Sequence, residues 1–197
     1  MRNTNYGMAI CLALLAAQGV SAHGPARKST VPARKAGLWE VTVRSDDLVL
    51  RRQGAAPQRP QTVQMCTSAE AEPVMLFAVV PAQENCRETK TRLRAKSEGG
   101  GYDIATVCYV HDNRVDMHME LRGDLQSAYS GAFSVKYAQT PLGNTGRMLF
   151  EGRWLGTCNP GQRQGDMVLP NGITVNVVDD QKRAEALHAR EVHDHTH

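Results

Sequence analysis

The chain has 197 residues, a formal net charge of +3 at pH 7 and 41% hydrophobic residues, a balance typical of a globular protein. This charge is too small to predict binding to nucleic acid or to an anionic surface. The length suits one domain with terminal extensions.

The first residues have the features of an export signal. Arg2 gives a positive start, the apolar run Met8–Ala17 follows, and Val20–Ala22 is a cleavage site of small residues. The apolar run is much shorter than the ~20 residues that span a bilayer. We therefore predict a signal peptide over residues 1–22, cleavage after Ala22 and export to the periplasm.

Four cysteines remain after cleavage: Cys66, Cys86, Cys108 and Cys158. An even number in an exported chain predicts disulfides, and the absence of a CxxC spacing argues against a redox site or a zinc ribbon. Four cysteines allow three pairings. We favour Cys66–Cys86 with Cys108–Cys158, because the first bond would close a short loop and the second would connect a middle strand to the last strand.

The chain after the signal begins with a polar, basic, proline-bearing stretch, residues 23–36, which predicts a flexible linker. Alternating residues in Gly37–Val43 then predict a first strand, and Gln61–Cys66 predicts a short second strand. Thr67–Glu72 is typical of a helix start, with Thr67 or Ser68 as the cap, Glu70 reaching back and Pro73 interrupting. The apolar run Val74–Val80 predicts either a buried helix turn or a strand across an open end of the sheet.

The middle of the chain alternates with a period of two. Cys86–Lys96 and Tyr102–Val110 predict a hairpin around three glycines. Further strands are predicted in Val115–Arg122, Tyr129–Tyr137 and Gly146–Cys158, each with one apolar face. Within these strands Met117 and Met119 share the apolar face, so we predict that both are core residues.

Together these segments predict an all-β fold, an antiparallel meander curled into a barrel or half-barrel over residues 37–178. Two short strands around Asn171-Gly172 close it, and a charged tail, residues 179–197, is predicted to be a short helix or disordered. Small inward residues would either let the sheet curve tightly or leave an internal cavity; they are Gly131, Gly152, Gly156 and Ala95.

Four short motifs follow one another along the chain: GLWEVTV at Gly37–Val43, Cys66 before Thr-Ser-Ala-Glu, two cysteines flanking a glycine hairpin, and RWLGTCNPG at Arg153–Gly161. Over about Gly37–Gly172 the sequence resembles the proteobacterial family catalogued as domain of unknown function 3617. The resemblance implies a small exported β-domain with paired cysteines. It implies no activity, ligand or catalytic residue.

No nucleophile elbow, HExxH, P-loop or GxGxxG motif occurs in the sequence, so we expect binding rather than catalysis. The first hypothesis is a periplasmic module that holds a small apolar ligand in the mouth of the sheet, lined by Trp39, Phe133 or Trp154. A further hypothesis is a structural envelope protein whose partner is another protein. A basic row is formed by Lys90, Arg92, Arg94 and Lys96. It would bind an acidic partner or lipid headgroups, or it would be a solvated outer face whose charges pair with neighbouring carboxylates. We favour the solvated face.

The alternative function is metal binding or buffering by the tail. Neutral imidazoles suit copper, zinc or nickel, and the candidate ligands are His188, His193, His195 and His197. His23, as the mature N-terminus, and His118 are lesser candidates.

We predict that a chain ending at Asp180 still folds but loses most of its copper, zinc or nickel affinity. The full chain should bind these ions less tightly as the pH falls through about 6.5, where imidazole protonates. Calorimetry with each metal and a thermal melt measure the two effects. Undiminished metal binding by the shortened chain would place the site elsewhere.

Overall fold

The computed structural model describes residues 31–46, 59–81, 86, 88–110, 113–139 and 146–194, with no side-chain description for residues 188, 189 and 191–194. The predicted signal peptide, the first part of the predicted linker and the last two histidines therefore lie outside the described residues.

Within the described residues, nine antiparallel strands form one sheet, in the order β3-β4-β5-β6-β7-β1-β2-β8-β9. The strands are β1 Gly37–Ser45, β2 Gln61–Thr67, β3 Lys90–Leu93, β4 Tyr102–Val110, β5 Asn113–Asp124, β6 Ala128–Tyr137, β7 Gly146–Gly156, β8 Asp166–Val168 and β9 Thr174–Asn176. The helices are α1 Glu72–Met75, a 3₁₀ turn Lys96–Glu98 and α2 Val177–Asp194. The predicted all-β antiparallel class is confirmed.

β1 lies between β7 and β2 at the middle of the sheet. Trp39 pairs with Trp154 of β7 on one side and with Met65 of β2 on the other. β1 therefore pairs with the next strand in the sequence, β2, and with β7, which comes more than 100 residues later. β3 and β9 remain as the two edges of the described sheet, so the sheet curls into a half-barrel rather than closing.

The core fills the concave face of the sheet, because most of the alternating apolar residues of its strands point there. Fully buried side chains come from β1, β4 and β5 and from α1, and they include Trp39, Ile104, Val115, Met119 and Met75. Met117 is also buried, which confirms that both predicted methionines are core residues.

The apolar run after Pro73 forms a short helix and turns that cover the core. Met75, Leu76 and Val80 are buried, which decides in favour of the buried helix turn. The predicted start was wrong in detail: α1 begins at Glu72, and Pro73 sits in its first turn, where the missing N–H costs nothing. Ser68 Oγ accepts a hydrogen bond from the Ala71 N–H at 3.3 Å.

Two inward glycines make room for aromatic rings. A Cβ on Gly152 would lie 2.2 Å from the Tyr129 ring, and one on Gly131 would lie 2.4 Å from the Phe150 ring. Each glycine pairs across β6 and β7 with the residue whose ring covers it, a common way to shield glycines in a sheet. At these two positions the aromatic rings therefore occupy the space beside the glycines, and no cavity is left there.

The disulfide pairing that the sequence favoured was wrong. The bonds are Cys66–Cys158 and Cys86–Cys108, with Cα–Cα distances of 5.4 and 3.9 Å. The reason is strand order: Leu38 of β1 pairs with Cys66 on one side and with Gly156 on the other, so the ends of β2 and β7 meet there. Cys86 precedes β3, whose partner strand β4 carries Cys108.

Several predicted boundaries also shift. Residues 31–36, the N-terminal segment, are not a flexible linker, because Arg34 is buried in the domain. β3 is only four residues long, since the chain leaves the sheet before Lys96 and enters the 3₁₀ turn. The tail is helical as far as Asp194, and its helix begins inside the predicted domain, at Val177.

We expect non-reducing peptide mapping to recover one fragment joining Cys66 to Cys158 and one joining Cys86 to Cys108. Both bonds follow from the strand order, so this experiment also checks the placement of β1 between β2 and β7. A fragment joining Cys66 to Cys86 would contradict that order.

Candidate functional site

A buried ion pair joins the N-terminal segment to α1. Arg34 Nε and Nη2 donate to the two carboxylate oxygens of Glu72 at 2.6 and 3.1 Å, and the Arg34 backbone N–H donates to the same carboxylate at 3.1 Å. The Thr67 hydroxyl donates to Glu72 Oε2 at 2.7 Å, and Arg34 Nη1 donates to the Tyr129 hydroxyl at 2.8 Å. The pair therefore also connects β2 and β6.

Both charges lie out of water, with side chains only 1% and 2% exposed. Burial acts to lower the pKa of Arg34, but Tyr129 and Glu72 outweigh it and the pKa is raised, so the guanidinium stays charged. For Tyr129 the effect of burial is the opposite: burial raises the pKa of its hydroxyl, although the nearby Arg34 charge acts to lower it. The guanidinium lies 5.7 Å from the Trp39 ring centroid and 5.5 Å from that of Tyr129, within cation–π range.

Both tryptophans of the chain hold the N-terminal segment. The indole N–H of Trp39 donates to the Lys35 carbonyl at 2.8 Å, and that of Trp154 donates to the Ala36 carbonyl at 3.2 Å. The Lys35 ammonium lies 3.6 Å from the Trp154 ring centroid. The Lys35 backbone N–H donates to the Leu125 carbonyl at 2.8 Å. Three consecutive residues, 34 to 36, are therefore fixed to the domain.

A cavity of about 200 Å³ opens beside this segment, between α1, β4 and β5 and the first turns of α2. We call it the α1 cavity. Its walls are mostly apolar, formed by Val31, Val74, Phe77, Val80 and Met117.

The remaining walls of the α1 cavity are uncharged. The Cys86–Cys108 disulfide lies on one side, and Gln181 of α2 on another. Thr89 and Thr106 also line it, and their hydroxyls hydrogen-bond to each other at 3.0 Å. No Asp, Glu, Lys or Arg lines the cavity among the residues that the structure describes, so the arrangement suits an uncharged group with little need for hydrogen bonds.

The aromatic residues predicted to line a ligand cavity do not line this one. Trp39 and Phe133 are buried in the core, and Trp154 is half-buried against the N-terminal segment. Their role in the structure is packing and, for the tryptophans, holding residues 35 and 36. The cavity lies instead beneath the apolar run Val74–Val80, which the sequence marked only as buried.

The two arginines of the basic row pair with carboxylates, as the favoured interpretation predicted for the whole row. Arg92 pairs with Asp103 and Glu98, and Arg94 pairs with Asp103 at 3.4 Å and with Glu120 at 3.6 Å. The Arg92–Glu98 pair is solvated and contributes little stability, whereas the side chains of Arg94, Asp103 and Glu120 are mostly covered by their neighbours.

The metal hypothesis stays a prediction. The side chains of His188 and His193 are not described, and His195 and His197 lie outside the described residues. Within the part of the chain that the structure describes, no group of three potential ligands comes together around a metal position.

A family model described as "Protein of unknown function (DUF3617)" matches residues 34–158. The chain belongs to this family. No curated protein and no solved structure matches it. The DUF3617 segment begins at Arg34, the buried partner of Glu72, and ends at Cys158, the partner of Cys66. It therefore spans the first seven strands and leaves β8, β9 and α2 outside.

Among the described residues, no helix combines the length and the apolar character that a membrane crossing requires. The two disulfides indicate an oxidising compartment outside the cytoplasm.

Sequence reasoning missed the buried cluster of Arg34, Glu72, Thr67 and Tyr129. An arginine in a basic, proline-bearing stretch looks solvated, and a glutamate before a proline looks like a helix-start residue. The one available signal was Glu72 itself, a charge separated from a run of seven apolar residues only by Pro73.

We predict that Glu72→Gln destabilises the protein by about 3–5 kcal/mol, because it leaves the Arg34 charge buried without its partner. A double variant, Arg34→Met with Glu72→Met, should lose less stability than Glu72→Gln, since it removes both buried charges. Urea denaturation measures both.

The matched control is Glu40→Gln, which breaks the exposed pair between Arg153 and Glu40 and should cost at most about 1 kcal/mol. Equal losses of stability in Glu72→Gln and Glu40→Gln would mean that the buried ion pair contributes no more to stability than the exposed one.

Proposed function

We propose that this DUF3617 protein is a periplasmic binding module that holds a small, uncharged apolar group in the α1 cavity. The observation that carries the proposal is the lining: apolar side chains, two threonines that satisfy each other and one glutamine, with no charge among the described lining residues. Burial of apolar surface is then the main driving force available to a ligand.

The volume of the α1 cavity limits the ligand. At about 200 Å³ it is smaller than the cavities of about 300–1,000 Å³ that hold drug-sized molecules. A dry cavity of about 150 Å³ holds benzene. The occupant is therefore one ring or a short alkyl segment, either as a whole molecule or as the end of a larger one.

The cavity walls are supported from several directions. Val31 comes from the N-terminal segment, which Arg34 fixes three residues later. Pro73 and Val74 follow Glu72 directly, so the ion pair fixes this wall as well. The Cys86–Cys108 bond fixes a third. Walls held in this way favour binding, because little conformational entropy is lost when the ligand enters.

Three features support export and binding rather than catalysis. The N-terminal sequence has the pattern of a cleaved signal, and both disulfides fit an oxidising compartment. The buried charges of Arg34 and Glu72 are hydrogen-bonded to each other, to Tyr129 and to Thr67, and neither residue lines the cavity.

The test uses benzene and hexanol as probes, with methyl NMR of Met117 and Val74. We expect both probes to shift these signals in a saturable way. Val74→Phe fills the cavity and should weaken binding about tenfold or more, because the ligand then has to compete with a covalently placed ring.

The matched control is Val168→Phe, a half-buried valine of β8 that does not line the cavity. It should leave probe binding unchanged. If the native protein binds neither probe, or if Val74→Phe binds as well as the native chain, the α1 cavity is not a ligand site.

A further inference from the structure

Three arginines surround a hollow on the outer face of the sheet, the face turned away from the core. Arg122 of β5, Arg147 of β7 and Arg44 of β1 line this hollow, which measures about 240 Å³. Between β5 and β7, the intervening strand β6 contributes only Ser130, Gly131 and Ala132 to the lining. We call it the arginine hollow.

Strand register explains why the arginines approach one another. Ala132 of β6 pairs with Glu120 of β5 and with Leu149 of β7, and Leu149 pairs in turn with Arg44 of β1. β5 and β7 are thus two strand spacings apart, about 10 Å. Long side chains from either side of the short β6 residues therefore border a space that fits a tetrahedral oxyanion.

The carboxylates nearby do not use up the arginine donors. Glu120 is shared by Arg94, Arg122 and Arg147, at 3.6, 3.7 and 3.5 Å. These distances exceed the roughly 2.7–2.9 Å of a strong charge-assisted hydrogen bond. Arg147 also lies 3.5 Å from Asp46. Each guanidinium has five N–H donors, so donors remain for a further acceptor.

Arg44 is the least engaged of the three, because it forms no ion pair with a carboxylate that the structure describes. The other carboxylate in the lining is Glu151, which also borders a neighbouring hollow. The lining of the arginine hollow therefore has three guanidinium groups and two carboxylates. Outside the lining, Asp46 lies beside Arg147 and Arg94 shares Glu120.

We propose that the arginine hollow binds a phosphoryl group, on a soluble compound or on a lipid headgroup. The planar guanidinium fork matches the oxygens of a phosphate. Ser130, which also lines the hollow, offers a neutral hydroxyl donor. The site lies on the opposite face of the sheet from the α1 cavity and does not depend on it.

The test compares inorganic phosphate, by calorimetry, with phosphatidylglycerol and phosphatidylcholine vesicles, by sedimentation. Arg44→Gln should weaken binding about tenfold, the effect of losing one charged hydrogen bond, with an unchanged melting temperature. The matched control is Arg153→Gln, an exposed arginine of β7 outside the hollow, which should bind like the native protein.

Phosphate binding that Arg44→Gln weakens assigns the site to a soluble phosphoryl compound. Binding only to phosphatidylglycerol vesicles, again weakened by Arg44→Gln, assigns it to a lipid headgroup. The proposal is overturned if the native protein binds neither probe, if Arg44→Gln binds normally, or if Arg153→Gln loses as much.

Discussion

The buried pair of Arg34 and Glu72 is the constraint on which the rest of the structure depends. Removing two charges from water costs several kcal/mol each, and their attraction offsets this only when the geometry is good and the remaining donors and acceptors are satisfied. Here the pair is bidentate, and Thr67 and Tyr129 complete it. The N-terminal segment, β2, α1 and β6 therefore meet at this point, because the two buried charges are satisfied only where all four elements supply their groups.

The same pair determines where the α1 cavity lies. Val31 stands three residues before Arg34, and Val74 stands two residues after Glu72; both line the cavity. The tryptophans add a second set of contacts, because their indole N–H groups hold the two carbonyls that follow Arg34. The family match begins at Arg34, so residues 34–36, the end of the stretch predicted to be a linker, belong to the segment that matches DUF3617.

The fold could be predicted from the sequence because it rests on local patterns. Alternation in Val115–Leu121 and Gly146–Cys158 and the glycine turn before Tyr102 mark strands without any knowledge of their partners. The disulfides could not be paired in this way, since Cys66 meets Cys158 only because β1 sits between β2 and β7. The ion pair and the cavity were missed for the same reason: Arg34 and Glu72 are 38 residues apart, and no periodicity relates them.

Hydrogen exchange tests the central claim most directly, with the Lys35 amide and the Trp39 indole as reporters. Both N–H groups are hydrogen-bonded within the arrangement that the ion pair holds. If the N-terminal segment is an integral part of the domain, these protons should exchange only through global unfolding, with the same free energy as the buried amides of β5. Exchange at a much lower free energy than β5 would show that the segment opens by itself, and would contradict the account.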